Sequence, residues 1–193
     1  MDAGEFVENL EILLARQAKF GCIYMDPPWP YENQGTRGST KHHYKTMSLA
    51  ELAALPIGDL ALPQSHLHLW VTNAFLFETP KLFEAWGFAF KSSLIWVKPQ
   101  LGMGNYYRNA HEFLLLAIRG NQRACDRSIR SWIEAKRFTH STKPPVVRSI
   151  LRRLSPGPYL ELFGRDAIPG WTVWGNEEKH EYIPDFFLDA EPA

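Results

Sequence analysis

Apolar residues recur along this chain with two different periods, which together predict alternating strands and helices. Short, nearly continuous apolar runs indicate buried strands, and strands are predicted over 20–25, 65–71, 92–97, 112–118, 159–163 and 171–174. Apolar residues three and four positions apart indicate amphipathic helices, and helices are predicted over 5–15, 48–56, 78–86 and 146–154. The alternation predicts an α/β fold in which helices cover both faces of a parallel or mixed sheet.

Local signals mark the ends of two of these helices. Ser48 followed by Glu51 is the pattern of a capping box at a helix start. Pro80 is tolerated in the first turn of the helix over 78–86, and Gly87 suits its end.

Four residues, Asp26-Pro27-Pro28-Trp29, follow directly after the first buried strand. Open α/β sheets bind their ligands at the carboxyl ends of strands. Each proline fixes φ and lacks an N–H, and Asp26 is biased toward extended backbone by the proline that follows it. The segment therefore predicts a stiff loop that offers the Asp26 carboxylate, free carbonyl groups and a flat apolar indole.

A loop of this composition suits a planar base that carries an exocyclic amine. The amine of adenine is a poor nucleophile, because its lone pair is delocalised into the ring. Two acceptors on its hydrogens, the Asp26 carboxylate and the Pro27 carbonyl, would favour a pyramidal nitrogen that attacks a methyl group, so catalysis would come from positioning and polarity. The alternative for these four residues alone is a proline-stiffened strand exit with a packing tryptophan.

Residues 31–47 form a long polar stretch without apolar periodicity, and the stretch begins next to this loop. Long structureless loops in compact domains are usually functional lids or disordered. Arg37 and Lys41 are candidates for phosphate contacts, and Tyr31 and Tyr44 are candidates for stacking on a base. We expect a substrate lid here, and a solvated surface loop is the alternative.

A second candidate site precedes the helix over 146–154, in His140-Ser141-Thr142-Lys143-Pro144-Pro145. Prolines suit the first positions of a helix, and the exposed N–H groups there attract anions. Lys143 adds a full positive charge. We expect this element to hold an anionic group, and a capped helix start with a surface lysine is the alternative.

Charge and cysteine content limit the classes of protein that the chain can be. Its 193 residues have a formal net charge of zero, so bulk charge does not indicate nucleic-acid binding. The most basic window, 122–137, could contact nucleic-acid backbone or be a solvated surface. Two cysteines, Cys22 and Cys125, make no disulfide framework, which predicts a reducing, cytoplasmic setting.

Length and patterning predict a single domain, 1–193, with an acidic and aromatic tail over 178–193. His42-His43 has no cysteine partners nearby, so no metal site is predicted. The chain begins without a secretory pattern and has no membrane-spanning run, so no membrane partner is expected.

Asp26-Pro27-Pro28-Trp29 resembles the signature of the DPPW-type adenine-N6 methyltransferases, the family that includes the catalytic subunit of eukaryotic mRNA adenosine methyltransferase. Three further segments agree with that family in order and approximate spacing. They are His66-Leu67-His68-Leu69-Trp70-Val71-Thr72, Ile95-Trp96-Val97-Lys98, and the stretch from Leu154-Ser155-Pro156-Gly157 through Glu161-Leu162-Phe163-Gly164-Arg165 to Trp171 and Gly175-Asn176. The similarity covers about 10–177, nearly the whole chain.

The resemblance implies a Rossmann-like fold that binds S-adenosylmethionine, with the catalytic strand before the cofactor strand, an order permuted relative to many other methyltransferases. It implies that the gating segment includes Tyr44. It assigns the cofactor to Lys143, which suits its methionine carboxylate, and to Glu161, Phe163, Arg165, Asn176 and Glu177. The turn over 166–169 departs from some relatives, and the usual Gly-x-Gly cofactor loop is only partly matched.

We therefore predict an enzyme that methylates the N6 amine of adenine in nucleic acid, with Trp29 flanking the base. A compact chain of this kind resembles the free-standing members of the family found in bacteria and their phages. That resemblance favours DNA over RNA as the substrate. A base in a duplex must be flipped out to react. The alternatives are an RNA N6-adenosine methyltransferase, a non-catalytic nucleic-acid-binding partner subunit, and a small-molecule methyltransferase. A homo- or heterodimer could supply further substrate contacts.

Overall fold

A computed structural model of the chain describes residues 4–30, 46–102, 104, 106–137, 142–165 and 167–175. In chain order, the strands are β1 (Glu5–Val7), β2 (Phe20–Met25), β3 (Ala61–Val71), β4 (Ala89–Val97), β5 (His111–Arg119), β6 (Trp132–Glu134), β7 (Tyr159–Leu162) and β8 (Thr172–Trp174). They form one sheet in the order β1-β8-β7-β2-β3-β5-β4-β6. Among these described strands, only β5 runs antiparallel to its neighbours. The predicted α/β class with a parallel or mixed sheet is confirmed, and the sheet is mostly parallel.

The helices are α1 (Leu10–Ala15), α2 (Leu49–Ala53), α3 (Ile57–Leu60), α4 (Thr79–Ala85) and α5 (Val146–Leu154), with a 3-10 turn at Asn73–Phe75. The predicted capping box is confirmed, because the Glu51 N–H donates to the Ser48 side chain and the Ser48 N–H donates to Glu51. Gly87 follows the end of α4 with a φ of +74°, a conformation that glycine adopts without strain. Within the described ranges, no helix is long and apolar enough to cross a bilayer.

Two short strands differ from the sequence prediction. The spacing over 5–15 predicts one helix, but Glu5–Val7 forms β1 and the helix begins at Leu10. β1 pairs with β8, which is far away in the chain, so the pairing overrides the local helical spacing. β6 lies inside the basic window and pairs with β4, where the pattern predicts no strand. Helix α3 is a further element that the pattern does not predict.

Side chains of β2 alternate between two apolar layers. Ile23 and Met25 pack in the core that α1 and α4 cover, together with Leu13 and Phe83. Cys22 and Tyr24 face the other layer, which contains Val147 and Leu151 of α5. All six residues of β2 are buried, as the continuous apolar run predicts.

The chain continues from the neighbouring strands β2 and β7 in opposite directions, so the strand order reverses between them. The next strand in the chain after β2 is β3, on one side of this pair, and the next strand after β7 is β8, on the other side. We call the region between the carboxyl ends of β2 and β7 the crevice. β2, β3, β7 and β8 are parallel, so their carboxyl ends share one edge of the sheet. A strand-order reversal of this kind is where open α/β sheets bind ligands.

Candidate functional site

Asp26 stands immediately after β2, at the crevice between β2 and β7. The Nζ atom of Lys143, which precedes α5, donates to its Oδ2 atom at 2.6 Å. The Asp26 side chain is 31% exposed, so its carboxylate remains open to solvent on one side. The structure thus joins the two candidate sites that are 117 residues apart in the chain.

The ion pair extends into a row of alternating charges. Lys143 Nζ also lies 3.5 Å from Oε2 of Glu112, at the start of β5. Lys98, just after β4, donates to the other carboxylate oxygen of Glu112. We call Asp26, Lys143, Glu112 and Lys98 the charge network.

Aromatic rings lie beneath the two lysines of the charge network. Lys98 Nζ stands 4.4 Å from the centre of the Trp96 ring, and Lys143 Nζ stands 5.5 Å from that of Trp70. Trp70 is held in place because its indole N–H donates to the Tyr24 hydroxyl at 2.7 Å. These rings attract ammonium groups through their π faces and hold the lysines toward the carboxylates.

Burial and neighbouring charge act in opposite directions on the ionisation of these groups. Burial raises the pKa of Asp26 above its ordinary value, although the Lys143 ammonium opposes that change. Burial alone would lower the pKa of Lys143, but Asp26 and Glu112 raise it overall. Burial would raise the pKa of Glu112, but Lys143 and Lys98 lower it overall. Lys143 therefore stays charged at neutral pH, and its charge favours the ionised form of Asp26 against the effect of burial.

Sequence reasoning missed the roles of Lys98 and Glu112 in this network. Both stand next to predicted strands, Lys98 after the strand over 92–97 and Glu112 at the start of the strand over 112–118. They meet because β4 and β5 pair antiparallel, which puts the end of one strand beside the start of the next. The signal in the sequence is two opposite charges, one on each side of the connection over 99–110 between two strands.

The two prolines after Asp26 present their carbonyl groups in different ways. The Pro27 carbonyl accepts from the Trp29 N–H at 2.8 Å, and its second lone pair is left for another donor. The Pro28 carbonyl accepts from the Met47 N–H at 2.9 Å. This bond brings the described residues on either side of the 31–45 segment together beside Asp26.

The Trp29 side chain is largely enclosed by its neighbours. Its side chain is only 9% exposed, its indole N–H donates to the Trp70 carbonyl at 3.0 Å, and its ring stacks on Phe75 at 5.1 Å. Little of the ring is left to flank a substrate base. These contacts favour the alternative interpretation, in which Trp29 packs against the fold and braces the loop that carries Asp26. The contact of Trp29 with a substrate base stays a prediction.

The end of β7 forms the other wall of the crevice. Phe163 has a φ of +65° and its ring contacts Trp174 edge-on at 5.2 Å. A Cβ on Gly175 would stand 1.8 Å from the Gly164 carbonyl oxygen, so the ends of β7 and β8 approach too closely for any other residue there. Arg165 lies near enough to lower the pKa of Asp26, which places its positive charge at the same edge.

These residues fit the methionine and nucleoside parts of S-adenosylmethionine. Lys143 and Arg165 are cations that suit a carboxylate and ribose hydroxyls. The half-buried Phe163 ring and the backbone of Gly164 supply an apolar wall and a close approach. The donor set and the cradle at the strand ends are therefore compatible with this cofactor.

Glu161 lies further inside than the other predicted cofactor residues. Both its carboxylate oxygens accept from the Arg148 guanidinium, each at 2.7 Å, in a bidentate pair that joins β7 to α5. Its assignment to the cofactor stays a prediction. The pairing gives it a structural role that the sequence did not reveal.

We expect Glu161→Ala to lower the free energy of unfolding by about 3 kcal/mol, because it leaves a partly buried guanidinium without its carboxylate. Urea unfolding of this variant and of Arg148→Met measures the effect. If the Arg148–Glu161 pair has only a structural role, both variants should be less stable than the wild type and keep its KM for the cofactor. A raised KM in Glu161→Ala alone would instead support the cofactor contact.

The remaining predicted site residues lie outside the described residues. They are Tyr31, Arg37, Lys41, Tyr44, Asn176 and Glu177. His42, His43 and the tail over 178–193 lie there too. Among the residues that are described, no group of three or more His, Cys, Asp or Glu side chains could hold a metal ion.

A buried polar cluster lies below the site, on the α5 side of β3. The Ser155 hydroxyl lies 2.8 Å from His66 Nδ1 and 2.9 Å from His68 Nε2, so it can donate to one ring and accept from the other. All three side chains are buried. Burial, together with the neighbouring His66, lowers the pKa of His68 to about 3, and burial lowers that of His66.

This cluster predicts loss of stability in acid. The unfolded chain binds protons at His68 below its ordinary pKa of 6.5, but the folded protein does so only near 3. Protonation of His68 therefore leaves the free energy of unfolding unchanged above pH 6.5. Below pH 6.5 it lowers the free energy of unfolding, by at most about 1.4 kcal/mol per pH unit. Urea titrations at pH 7.5, 6 and 5 measure the slope, which should be shallower in His68→Gln. Equal slopes in both proteins would contradict the prediction.

Known proteins are similar to this chain over most of its length. The MT-A70 family model matches residues 20–177. The type II methyltransferase M.MunI of Mycoplasma sp is 30% identical over 86% of this chain and 79% of its own length. The human N(6)-adenine-specific methyltransferase METTL4 is 29% identical over 96% of this chain. The N6-methyladenosine RNA methyltransferase MTA1 of Pyricularia oryzae is 30% identical over 92% of this chain.

The length of the match differs among these relatives. The chain spans 43% of METTL4 and 52% of MTA1, about half the length of each, but most of M.MunI. The predicted resemblance to adenine-N6 methyltransferases is confirmed by the family match and by the names of the relatives. Since the family model covers residues 20–177 of 193, this chain belongs to the MT-A70 family.

Proposed function

We propose that this protein transfers a methyl group from S-adenosylmethionine to the N6 amine of adenine in nucleic acid, with DNA as the preferred polymer. The observation that carries the proposal is the 2.6 Å contact between Lys143 and Asp26 at the strand-order reversal of the sheet. The reaction needs a carboxylate that accepts from the amine and a cation that binds the cofactor, side by side. The contact supports this arrangement, because it puts the Asp26 carboxylate next to the Lys143 ammonium.

Asp26 accepts a hydrogen bond from the N6 amine, and the second lone pair of the Pro27 carbonyl accepts another. These two acceptors draw the amine toward a pyramidal geometry and stabilise the positive charge that develops on nitrogen as the new bond forms. S-adenosylmethionine would supply an electrophilic methyl group and be left as a neutral thioether when its S–CH3 bond breaks, and the methylated nitrogen would release its surplus proton to solvent. The chain contributes orientation and fixed charges, and no covalent intermediate on the protein is needed.

Lys143 can serve both halves of this site. Its ammonium has three donors, and Asp26 takes one of them at 2.6 Å. Glu112 is further away, at 3.5 Å, so a cofactor carboxylate can share the remaining donors. Phe163 and Arg165 hold the nucleoside part, together with Asn176 and Glu177.

The proposed fold type is a Rossmann-like methyltransferase with a permuted strand order. β2, which Asp26 follows, precedes β7, which is followed by Phe163 and Arg165. The two strands are nevertheless direct neighbours in the sheet. That adjacency supports a site assembled from a catalytic strand and a later cofactor strand.

The choice of DNA rests on the relatives. The match covers 79% of the type II methyltransferase of Mycoplasma but 52% of the RNA methyltransferase of Pyricularia. Transfer of a tritiated methyl group to DNA and RNA oligonucleotides of identical sequence tests the proposal. We expect a higher kcat/KM on DNA, and a higher value on RNA would contradict the choice of polymer.

A further inference from the structure

The connection between β4 and β5 is a hairpin at the same edge of the sheet as Asp26. The Lys98 N–H donates to the Ala110 carbonyl at 2.7 Å, and the Gly102 N–H donates to the Asn109 carbonyl at 2.8 Å. The Asn73 side chain, in the turn after β3, donates to that of Asn109 at 3.2 Å. We call the described residues of this connection, 99–102, 104 and 106–110, the aromatic hairpin.

The aromatic hairpin presents large side chains to solvent. Tyr106 is 98% exposed, Tyr107 is 88% exposed and Leu101 is 72% exposed. Tyrosine rings this exposed add little to the stability of the fold, and an exposed cluster of this kind marks an interaction surface. The hydroxyl groups and π faces make such rings suited to stacking on bases.

Positive charge accompanies these rings. Residues 99–110 and 135–137 contain Arg108, Lys136 and Arg137 and no acidic residue, and the exposed Glu134 directly precedes the second segment. All three cations are exposed, and within the described part of the chain none of them has a carboxylate within ion-pair distance.

Arg137 connects the two segments. Its backbone N–H donates to the Gln100 side chain at 3.4 Å, and a Cβ on Gly102 would stand 2.6 Å from its guanidinium. The carboxyl-terminal end of the basic window, 122–137, therefore contacts the aromatic hairpin. Its cations at this end are available for contact with nucleic-acid backbone next to the exposed tyrosines.

The base of the aromatic hairpin is continuous with the charge network. Lys98 precedes it and Glu112 follows it by two residues. These two side chains pair with each other, and Glu112 also lies near Lys143. A strand of nucleic acid whose target adenine reaches Asp26 has flanking nucleotides that must cross this edge of the sheet.

We propose that Tyr106 and Tyr107 stack on bases that flank the target adenine, while Arg108, Lys136 and Arg137 contact the adjacent phosphates. The proposal rests on the proposed function, because it assumes that the substrate is a polymer. A flipped target base leaves its neighbours without a stacking partner, and two exposed tyrosines would replace it. The positive charges account for binding by a chain whose net charge is zero.

A second copy of the chain is a less favourable occupant. A two-fold contact through this surface would set Arg108, Lys136 and Arg137 against the same residues of the other copy. Like charges brought together in this way repel, whereas phosphates attract them.

The test compares Tyr106→Ala/Tyr107→Ala and Arg108→Gln/Arg137→Gln with the wild-type protein. Fluorescence anisotropy measures binding of a labelled adenine-containing oligonucleotide at several salt concentrations. We expect the tyrosine variant to bind at least about tenfold more weakly. We expect the arginine variant to bind more weakly and to lower the slope of log affinity against log salt by about one for each phosphate that is no longer neutralised.

Matched controls come from the opposite end of β4, where Phe90 and Lys91 are exposed at the other edge of the sheet. Phe90→Ala and Lys91→Gln should bind the oligonucleotide as the wild type does. Calorimetry with S-adenosylmethionine should give the same affinity for all variants, because none of the altered residues lies at the proposed cofactor wall.

Unchanged oligonucleotide affinity in both hairpin variants overturns this proposal but leaves the proposed function intact if Asp26 is still required for methyl transfer. A wild-type protein that binds no oligonucleotide overturns both. If sedimentation shows that the tyrosine changes dissociate a dimer without changing oligonucleotide affinity, the surface joins two copies of the chain and the proposal is wrong.

Discussion

Asp26→Asn should reduce methyl transfer to adenine at least about 100-fold while leaving the affinity for S-adenosylmethionine nearly unchanged. The amide keeps the size of the carboxylate but loses its negative charge, and loss of one preorganised electrostatic contact to a transition state costs a factor of this order. Single-turnover transfer of a labelled methyl group measures the rate, and calorimetry measures cofactor binding.

The matched control is Asp59→Asn, which changes a carboxylate in α3, near the amino-terminal end of β3. It should keep full activity. Asp26→Asn protein that retains wild-type transfer with normal cofactor affinity would remove Asp26 from the chemistry.

Lys143→Met should have the second largest effect, with a fall in kcat/KM of about 100-fold. It should also move the acidic limb of the pH–rate profile to higher pH. The Lys143 ammonium lowers the pKa of Asp26, against the effect of burial. Its removal raises that pKa further, so Asp26 becomes protonated and unable to accept from the amine at a higher pH than in the wild type.

The pH profile separates the two roles proposed for Lys143. If the lysine only held the cofactor, the change would raise the KM for S-adenosylmethionine and leave the acidic limb in place. If it also keeps Asp26 ionised, kcat at saturating cofactor shows the displaced limb. Lys91→Met, a change at an exposed lysine of the same sheet, should move neither quantity.

Elements with a strong local pattern were predictable from the sequence. β2 has the predicted bounds of 20–25, and α5 has the predicted bounds of 146–154. The capping box at Ser48 depends on two residues three positions apart, so it too is readable locally. In each case the neighbours in sequence determine the structure.

Features set by distant pairing were not predictable in this way. β1 forms because β8 offers a parallel partner, and β6 forms because β4 does. Neither strand has enough residues to show a period of its own. The direction of β5 is a third case, because an apolar run reads the same in a parallel and an antiparallel strand.

The candidate site also has a part that local sequence predicts and a part that depends on distant pairing. The sequence placed Asp26 and Lys143 in separate elements with suitable chemistry, but it could not supply the contact between them. The roles of Lys98 and Glu112 depend on the antiparallel pairing of β4 and β5. The burial of Trp29 depends on Trp70 and Phe75, which are distant from it in the chain.

The most direct measurement of the central claim is the position of the transferred methyl group. The wild-type protein and Asp26→Asn are incubated with S-adenosylmethionine and an oligonucleotide containing all four bases, and the digested nucleosides are separated and identified by mass spectrometry. We predict N6-methyladenine as the product of the wild type and its absence with Asp26→Asn. A methyl group on another atom or base, or the same yield of N6-methyladenine from both proteins, would contradict an adenine acceptor pocket built around Asp26.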